Sequence, residues 1–234
     1  KIHEEISGGE DFTELNEVPD KFIHFLLQIE DDVFYEHKGY DTLGIKDAIT
    51  VNRKSGTILS GGSTISQQVV KNLYFTFEKS YLRKIVELII TMHAEKKLGK
   101  DKILTLYINI AYYGNGIYGV THAARFYFNK TMQDLTVNQM FMMASMLYAP
   151  TKGNPIQYPD VFERVRDKKL NLLIRRGTID ERDAKEVARH HADMLDEELR
   201  PGDEFTDNYP EDVRLVNDRF GPKKYRDESR VTIP

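Results

Sequence analysis

The chain has 234 residues, 40% of them apolar and 30% charged, with no cysteine and no tryptophan. That length suits one large domain or two lobes around a shared core, and the aliphatic and aromatic content excludes disorder throughout. Without cysteine there is no disulfide framework, thiolate zinc site or cysteine nucleophile, although a chain this long builds a core in an oxidising compartment without staples. A formal charge of −4 and a pI near 6 exclude a nucleic-acid protein, which needs a surplus of Lys and Arg, but leave room for a local basic pocket. No apolar run approaches the roughly 18–20 residues that cross a bilayer. The chain starts at Lys1 with no leader pattern, so any signal or anchor is expected to lie outside it.

In chain order the pattern is mainly helical. Pro19 opens a helix whose Phe22, Phe25, Leu26 and Ile29 follow the i, i+3, i+4, i+7 spacing of one buried face. It runs into Glu30-Asp31-Asp32. Residues 38–62, rich in Gly, Ser, Thr and Lys, read as a short helix plus a loop. Helices are predicted over Thr64 to about Tyr74, Ser80 to about Leu98 and, capped by Asp101, Lys102 to about Ala111. A glycine bend at Gly114-Asn115-Gly116 precedes helices at Val120–Phe128, Val137–Tyr148, Pro159–Arg176 and Asp180–Leu195. From Arg200 onward Pro-Gly breaks and charge dominate, and 200–234 reads as a charged tail or linker with no core of its own.

Carboxylates at a helix C-terminus meet the negative end of the macrodipole, at a cost of about a few tenths of a kcal/mol each. Local stability therefore does not select Glu30-Asp31-Asp32. Glu30, between Ile29 and Phe34, is a candidate proton acceptor near neutral pH because apolar neighbours raise a carboxyl's proton affinity; a solvated acidic turn is the competing reading. Further on, Gly61-Gly62-Ser63 leads into a helix on which Thr64 and Gln67 fit a capping box. Ile65, Val69 and Leu73 make one face of that helix, and Thr64, Gln67, Gln68 and Lys71 a polar stripe. A helix N-terminus with a lysine one turn in suits an anion such as a phosphate. It is neither a P-loop nor a nucleophile elbow, since Gly-Lys-Ser/Thr and Gly-x-Ser-x-Gly are both absent. An ordinary capped surface helix is the alternative.

In Arg83-Lys84-Ile85-Val86-Glu87-Leu88-Ile89-Ile90, Glu87 interrupts an apolar run and is predicted to be at least partly buried, with Arg83 at i−4 and Lys84 at i−3 as partners. A buried ion pair is a weak route to stability, which points to a functional role; a structural Arg–Glu pair in a core helix is the competing reading. Glu30, Glu87 and the cationic stripe together outline a sugar-and-phosphate site. Gly114-Asn115-Gly116-Ile117-Tyr118-Gly119 with Ala123-Ala124 reads first as a helix-packing hinge, and His190-His191 as surface.

These stretches resemble the peptidoglycan glycosyltransferase domain (glycosyltransferase family 51), the domain of monofunctional transglycosylases and class A penicillin-binding proteins. The likeness covers roughly Val18 to Ala188 and runs through five motifs in order. The first is carried by Glu30, Asp31, Phe34, His37 and Gly39, the second by Gly61 through Asn72, and the third by Arg83, Lys84 and Glu87. The fourth comprises Lys102-Ile103-Leu104, Tyr107, Asn109, Gly114, Gly116, Tyr118, Gly119, Ala123-Ala124, Tyr127-Phe128 and Lys130. Pro150, Asn154 and Pro155 close the series. The resemblance implies a mainly α, lysozyme-like bilobed helical domain over residues 1–199. Its head and smaller membrane-facing jaw, roughly residues 46–81, would flank the active cleft, with Leu73, Tyr74, Phe75, Phe77, Tyr81 and Leu82 available to lipid.

The activity implied is polymerisation of lipid II into glycan strands. Glu30 would be the general base on the 4-hydroxyl of the acceptor GlcNAc, whose oxygen attacks C1 of the MurNAc of the growing chain as undecaprenyl pyrophosphate leaves with inversion. Lys71 and Arg83, with Lys79, would hold the pyrophosphate. Glu87 would position those cations or a divalent ion, Mg2+ or Mn2+, with Glu30 and Glu87 as candidate ligands. Asp31, Ser63, Thr64, Gln67, Gln68, Lys84, Asn109, Gly116 and Tyr118 complete the expected substrate contacts. Implied partners are lipid II, undecaprenyl-pyrophosphate-linked glycan, the membrane surface and other cell-wall synthesis proteins, with no nucleic acid. The implied location is the extracytoplasmic face of a bacterial cell membrane.

Two positions depart from the family pattern. Asp47-Ala48 stands where Arg-Ala is usual, leaving Lys46 or Arg53 as substitutes, and Gln139 stands where a Glu is usual. A lytic transglycosylase is a competing reading, opposed by the Gln67-Gln68-x-x-Lys71 stripe, because a cleaving enzyme has no pyrophosphate to hold. A catalytically weak lipid II-binding scaffold rests on Asp47 alone. Neither Ser-x-x-Lys nor Lys-Thr-Gly occurs in the chain, so it carries no transpeptidase motif.

Overall fold

The computed structural model describes residues 12–42, 62–75, 81–151 and 153–189. The expectations for Lys46, Asp47, Arg53, Gly61, Phe77, Lys79, the Tyr81 side chain, His190-His191 and the 200–234 tail lie outside the described residues. The structure is mainly helical: α1 (Asp20–Glu30), α2 (Ile65–Tyr74), α3 (Tyr81–Leu98), α4 (Lys100–Ile110), α5 (Val120–Phe128), α6 (Val137–Tyr148), α7 (Pro159–Arg176) and α8 (Glu181–Arg189). Between α4 and α5 lie two short antiparallel strands, β1 (Tyr112–Gly114) and β2 (Ile117–Tyr118).

Two boundaries differ from the sequence reading, each for a local reason. Gly99, at φ +80°, ends α3, and its carbonyl accepts the N–H of Ile103, so α4 is already under way at Asp101, which sits in its first turn rather than at its cap. The glycine bend after α4 is a hairpin: Gly114, Asn115 and Gly116 all have positive φ, which lets the chain reverse within one turn.

The described residues fall into two compact units, one formed by the chain up to Asp32 and again from Ile108, the other by Val33–Tyr107. In the first, α6 is the central element. Its residues Asn138 to Leu147 are all buried, the mark of a helix surrounded by protein. Helix α1 packs on it through Phe22, Phe25, Leu26 and Ile29, and Phe25 meets Phe141 edge-on at 5.3 Å between ring centroids. Helices α7 and α8 also pack on α6. The reciprocal capping box of Thr136 and Gln139 starts α6: the Thr136 hydroxyl accepts the Gln139 N–H, and the Gln139 amide oxygen accepts that of Thr136. Gln139, read as a departure from the family pattern, thus has a structural job, and Lys130 donates to the same oxygen at 3.0 Å.

In the second unit α2 packs on α3 through its buried Ile65, Val69 and Val70. Beneath it lies a polar lock. Lys100 Nζ donates to Glu95 Oε1 at 2.6 Å and to His37 Nδ1 at 3.2 Å, and stands 4.6 Å from the centroid of Phe34. Ser66 Oγ donates to the same Glu95 oxygen. Four segments of the unit therefore meet on one carboxylate. On α3 an apolar set stays exposed, with Leu82 at 76%, Ile85 at 58% and Ile89 at 57%, beside Val86 and Met92. Among the described residues no helix is long and apolar enough to cross a membrane.

Because Phe25 is 1% exposed against Phe141, Phe25→Ala should lower the unfolding free energy by about 3–5 kcal/mol. A denaturant titration giving a loss below about 1 kcal/mol would place Phe25 outside the packed core.

Candidate active site

Glu30 closes α1 and is half-buried, followed by buried Asp31 and exposed Asp32. The unfavourable placement of these carboxylates is offset from α7. Arg176 Nη1 donates to the Gln28 carbonyl at 3.2 Å and pairs with Asp32 at 2.9 Å. Lys169 Nζ donates to the Ile29 carbonyl at 3.4 Å and lies 3.5 Å from the centroid of the Tyr148 ring. Two cations seven residues apart stand on one side of a helix, so α7 presents both to the electronegative end of α1. Burial pushes the proton affinity of Lys169 from its ordinary 10.5 down to about 8; the Glu30 charge pulls it back up, and Lys168 and Arg176 push it down. Tyr113 on β1 is fully buried, and burial, then the Glu30 charge, raise its pKa above the ordinary tyrosine value.

The later motif residues of this unit are tied to one another. Asn109 donates from Nδ2 to the Thr13 carbonyl at 2.8 Å and accepts the Thr13 N–H at 2.9 Å, contacts that account for its amide without a substrate. A Cβ at Gly114 would lie 2.6 Å from both Asn154 Nδ2 and the Pro150 carbonyl, so only glycine fits against the loop that carries Pro150 and Asn154. Tyr127 donates to the Tyr113 carbonyl at 2.8 Å and accepts from Asn154 at 3.2 Å. Asn154 in turn accepts the N–H groups of Ile156 and Gln157. Gly116 N–H donates to the Tyr112 hydroxyl at 3.4 Å, and Tyr118 stacks on Tyr112 at 4.8 Å.

In the second unit the predicted capping box is present. Thr64 Oγ1 accepts the Gln67 N–H at 3.2 Å, and Gln67 Oε1 accepts the Thr64 N–H at 3.0 Å. Both side chains are buried, and the Thr64 hydroxyl donates to the Gly39 carbonyl at 2.8 Å, so this pair joins the first and second motifs structurally. Gln68 is half-buried and accepts from Tyr107, whereas Lys71 and Ser63 are exposed. Glu87 is 1% exposed and takes one cation on each oxygen: Arg83 Nη1 at 3.1 Å on Oε2, and Lys84 on Oε1. Lys84 also donates to Ser63 Oγ at 3.2 Å, and the Arg83 guanidinium lies 5.8 Å from the centroid of the Phe75 ring. Ser63, Lys84, Arg83 and Glu87 thus form one linked group.

This geometry bears on the expected divalent ion. A metal at Glu87 would displace two ammonium-type partners already seated on its oxygens, so that carboxylate does not fit an ion. No group of three or more His, Asp or Glu side chains suited to a metal occurs among the described residues.

Lys169, Arg176 and the Glu95–Lys100 lock escaped the sequence reading. For Lys169 alone a signal was present: with Arg166 it occupies a buried position of the stripe Phe162, Leu170 and Leu173 on α7, where a charge needs a reason.

A family model described as Transglycosylase matches residues 2–174. Penicillin-binding protein 4 of Bacillus subtilis is 38% identical over 205 residues, 88% of this chain and 32% of that protein. Penicillin-binding protein 1A of Pseudomonas aeruginosa is 41% identical over 165 residues, 70% of this chain and 20% of that protein. The crystal structure of penicillin-binding protein 1A from Haemophilus influenzae aligns with a TM-score of 0.43 at 19% identity, covering 91% of this chain and 22% of that one. The chain spans a third or less of the length of these relatives. It belongs to the transglycosylase family, the peptidoglycan glycosyltransferases whose motifs it carries.

Glu87→Gln would leave two cations on a neutral amide, and should cost about 1–3 kcal/mol, less than a fully buried pair because Lys84 is 46% exposed. Thermal unfolding of the variant indistinguishable from wild type would show that solvent already screens the pair. For Lys169 the sign is opposite to that of a paired lysine. Between about 8 and 10.5 the unfolded chain holds the proton and the folded chain does not, so this group's contribution to stability rises with pH across that window. Lys169→Met should remove that rise from the pH dependence of the denaturation midpoint.

Proposed function

We propose that the chain polymerises lipid II, transferring a growing glycan from undecaprenyl pyrophosphate to the GlcNAc 4-hydroxyl of lipid II. Glu30 takes the hydroxyl proton as the oxygen forms its bond to C1 of the MurNAc. The bond from C1 to the pyrophosphate oxygen breaks, undecaprenyl pyrophosphate leaves with the electron pair, and the configuration at C1 inverts. Lys71 and Arg83 hold the pyrophosphate, with Lys79 and Lys84 adding charge and Ser63 and Gln68 adding hydrogen bonds. Glu87 orients Arg83 and Lys84 rather than moving a proton. Asp31, Gly116 and Tyr118 shape the sugar subsites. Thr64, Gln67 and Asn109 act by fixing the backbone. A divalent ion, Mg2+ or Mn2+, would neutralise pyrophosphate charge and would not be held by Glu87, whose oxygens carry Arg83 and Lys84.

The observation that carries this reading is the buried Glu87 carboxylate holding two cations beside Ser63, just ahead of the N-terminus of α2. A glycan-cleaving enzyme has no developing pyrophosphate charge for such a group to offset. The exposed Leu82, Ile85, Val86 and Ile89 support a place at the membrane surface, on the extracytoplasmic face where lipid II is consumed. Residues 1–199 form the glycosyltransferase domain in this reading, with 200–234 as a tail, and the partners are other cell-wall synthesis proteins.

Purified chain incubated with lipid II should produce glycan polymer that moenomycin, an inhibitor of the family, blocks, and Glu30→Gln should slow it by about 10²–10⁴-fold. Wild-type rates in Glu30→Gln would reject Glu30 as the base. Degradation of sacculi without polymer would make the chain a lytic enzyme, and binding of lipid II without polymer a scaffold.

A further inference from the structure

We propose that Glu95 is a positioning residue for the pyrophosphate-binding end of α2: with Ser66, Lys100 and His37 it closes a ring of bonded groups that fixes where Ser63, Gln68 and Lys71 stand. The inference rests on the reading of those three as pyrophosphate contacts. The ring is followed bond by bond. Lys100 Nζ, at the start of α4, donates to Glu95 Oε1 on α3 at 2.6 Å. The same oxygen accepts the hydroxyl of Ser66, in the first turn of α2. Two residues earlier, the Thr64 hydroxyl donates to the Gly39 carbonyl at 2.8 Å. The Gly39 N–H donates to His37 Nδ1 at 3.0 Å, and that nitrogen lies 3.2 Å from Lys100 Nζ, which completes the circuit. The ring is withdrawn from water, with the Glu95 side chain 9% exposed and Ser66 at 0%.

A carboxylate kept this far from water is a poor route to stability, because desolvation offsets the attraction to its cation. What it supplies is location. Helix α2 has ten residues, and the ring grips it at Thr64 and Ser66, on either side of Ile65. Its first turn cannot slide or rotate without breaking a charge-assisted bond. Exposed Ser63 directly precedes the gripped pair, and Gln68 and Lys71 follow within two turns. The charge balance fits the same role. A lone carboxylate at the start of α2 would compete with an anionic ligand for the positive end of the macrodipole. Lys100 neutralises Glu95 and leaves that end to the pyrophosphate. Glu87 stands two turns before Glu95 on α3, and Thr91, between them, donates to the Glu87 carbonyl at 2.7 Å. One helix thus sets Arg83 and Lys84 through Glu87, and the contacts carried by α2 through Glu95.

The test is lipid II polymerisation by the 234-residue chain as wild type, Glu95→Ala, Glu95→Gln, Ser66→Ala and the Glu95→Ala/Ser66→Ala double variant, with amide hydrogen exchange followed in parallel. Glu95→Ala should raise KM for lipid II about tenfold and change kcat by less than about threefold, because a loosened α2 holds the donor less well while Glu30 is untouched. Ser66→Ala should do the same. The double variant should be no worse than the more severe single one, since both substitutions open one ring. Glu95→Gln, which keeps an oxygen for Ser66 and loses the charge opposite Lys100, should lie between wild type and Glu95→Ala. The amides of Gln67 and Gln68, both bonded to Thr64, should exchange about tenfold faster in Glu95→Ala, with those of α1 unchanged. Additive losses in the double variant, a fall in kcat at constant KM, or unchanged exchange at Gln67 and Gln68 would overturn the proposal and leave the ring a stability element. Ser66→Ala removes no charge, so it decides the matter even where Glu95→Ala does not fold: wild-type KM in Ser66→Ala overturns the proposal. Absence of polymer from wild type would instead reject the reading on which the proposal rests, and is told apart because the exchange at Gln67 and Gln68 still responds to Glu95→Ala.

Discussion

The end of α1 is where this chain concentrates unfavourable charge, and the fold of its first unit is arranged around relieving it. Glu30, Asp31 and Asp32 follow one another where the helix already presents unbonded carbonyls, so each added negative charge meets like polarity. The remedy comes from α7, whose Lys169 and Arg176 are spaced by two turns and reach the carbonyls of Ile29 and Gln28. This works only if α1 and α7 are held in fixed register, which is the task of α6. That helix is buried on every side and takes the apolar face of α1 on one flank and α7 on another. The packing of Phe25 on Phe141 and the placing of Glu30 are therefore one constraint seen at two scales.

Several residues that the family pattern marks as functional do their work here by holding backbone. Thr64 and Gln67 close α2 onto Gly39, Asn109 clamps Thr13, and Asn154 with Tyr127 braces the hairpin against the loop at Pro150. Gly114 belongs to the same brace, since any side chain there would strike Asn154. Ser63, Lys71 and Lys84 differ in being exposed. Motif residues thus divide physically into buried ones, bonded within the protein, and accessible ones, which a ligand can reach.

What the sequence made legible follows the same division. The stripe Phe22, Phe25, Leu26, Ile29 announced α1 because helical periodicity is a local signal, and the Thr64–Gln67 box announced the start of α2 because its bonds span one turn. Glu87 was readable because its partners lie three and four residues away. The tie from Lys169 to Ile29 joins residues 140 apart, and that from Lys100 to His37 joins residues 63 apart, so no window of sequence contains either. The hairpin at Gly114 read as a bend because its strands are two or three residues long, too short for an alternating pattern to register.

The two carboxylates that the motifs single out are held in opposite ways, and the difference separates their chemistry. Glu87 is nearly inaccessible, and each of its oxygens carries a cation in a charge-assisted bond. Such a carboxylate orients its partners. Glu30 is only half-buried, and Lys169 stands beside it on the carbonyl of the preceding residue, Ile29, and on the Tyr148 ring. A half-buried carboxylate at a helix end keeps a route to a substrate hydroxyl, which a general base has to have.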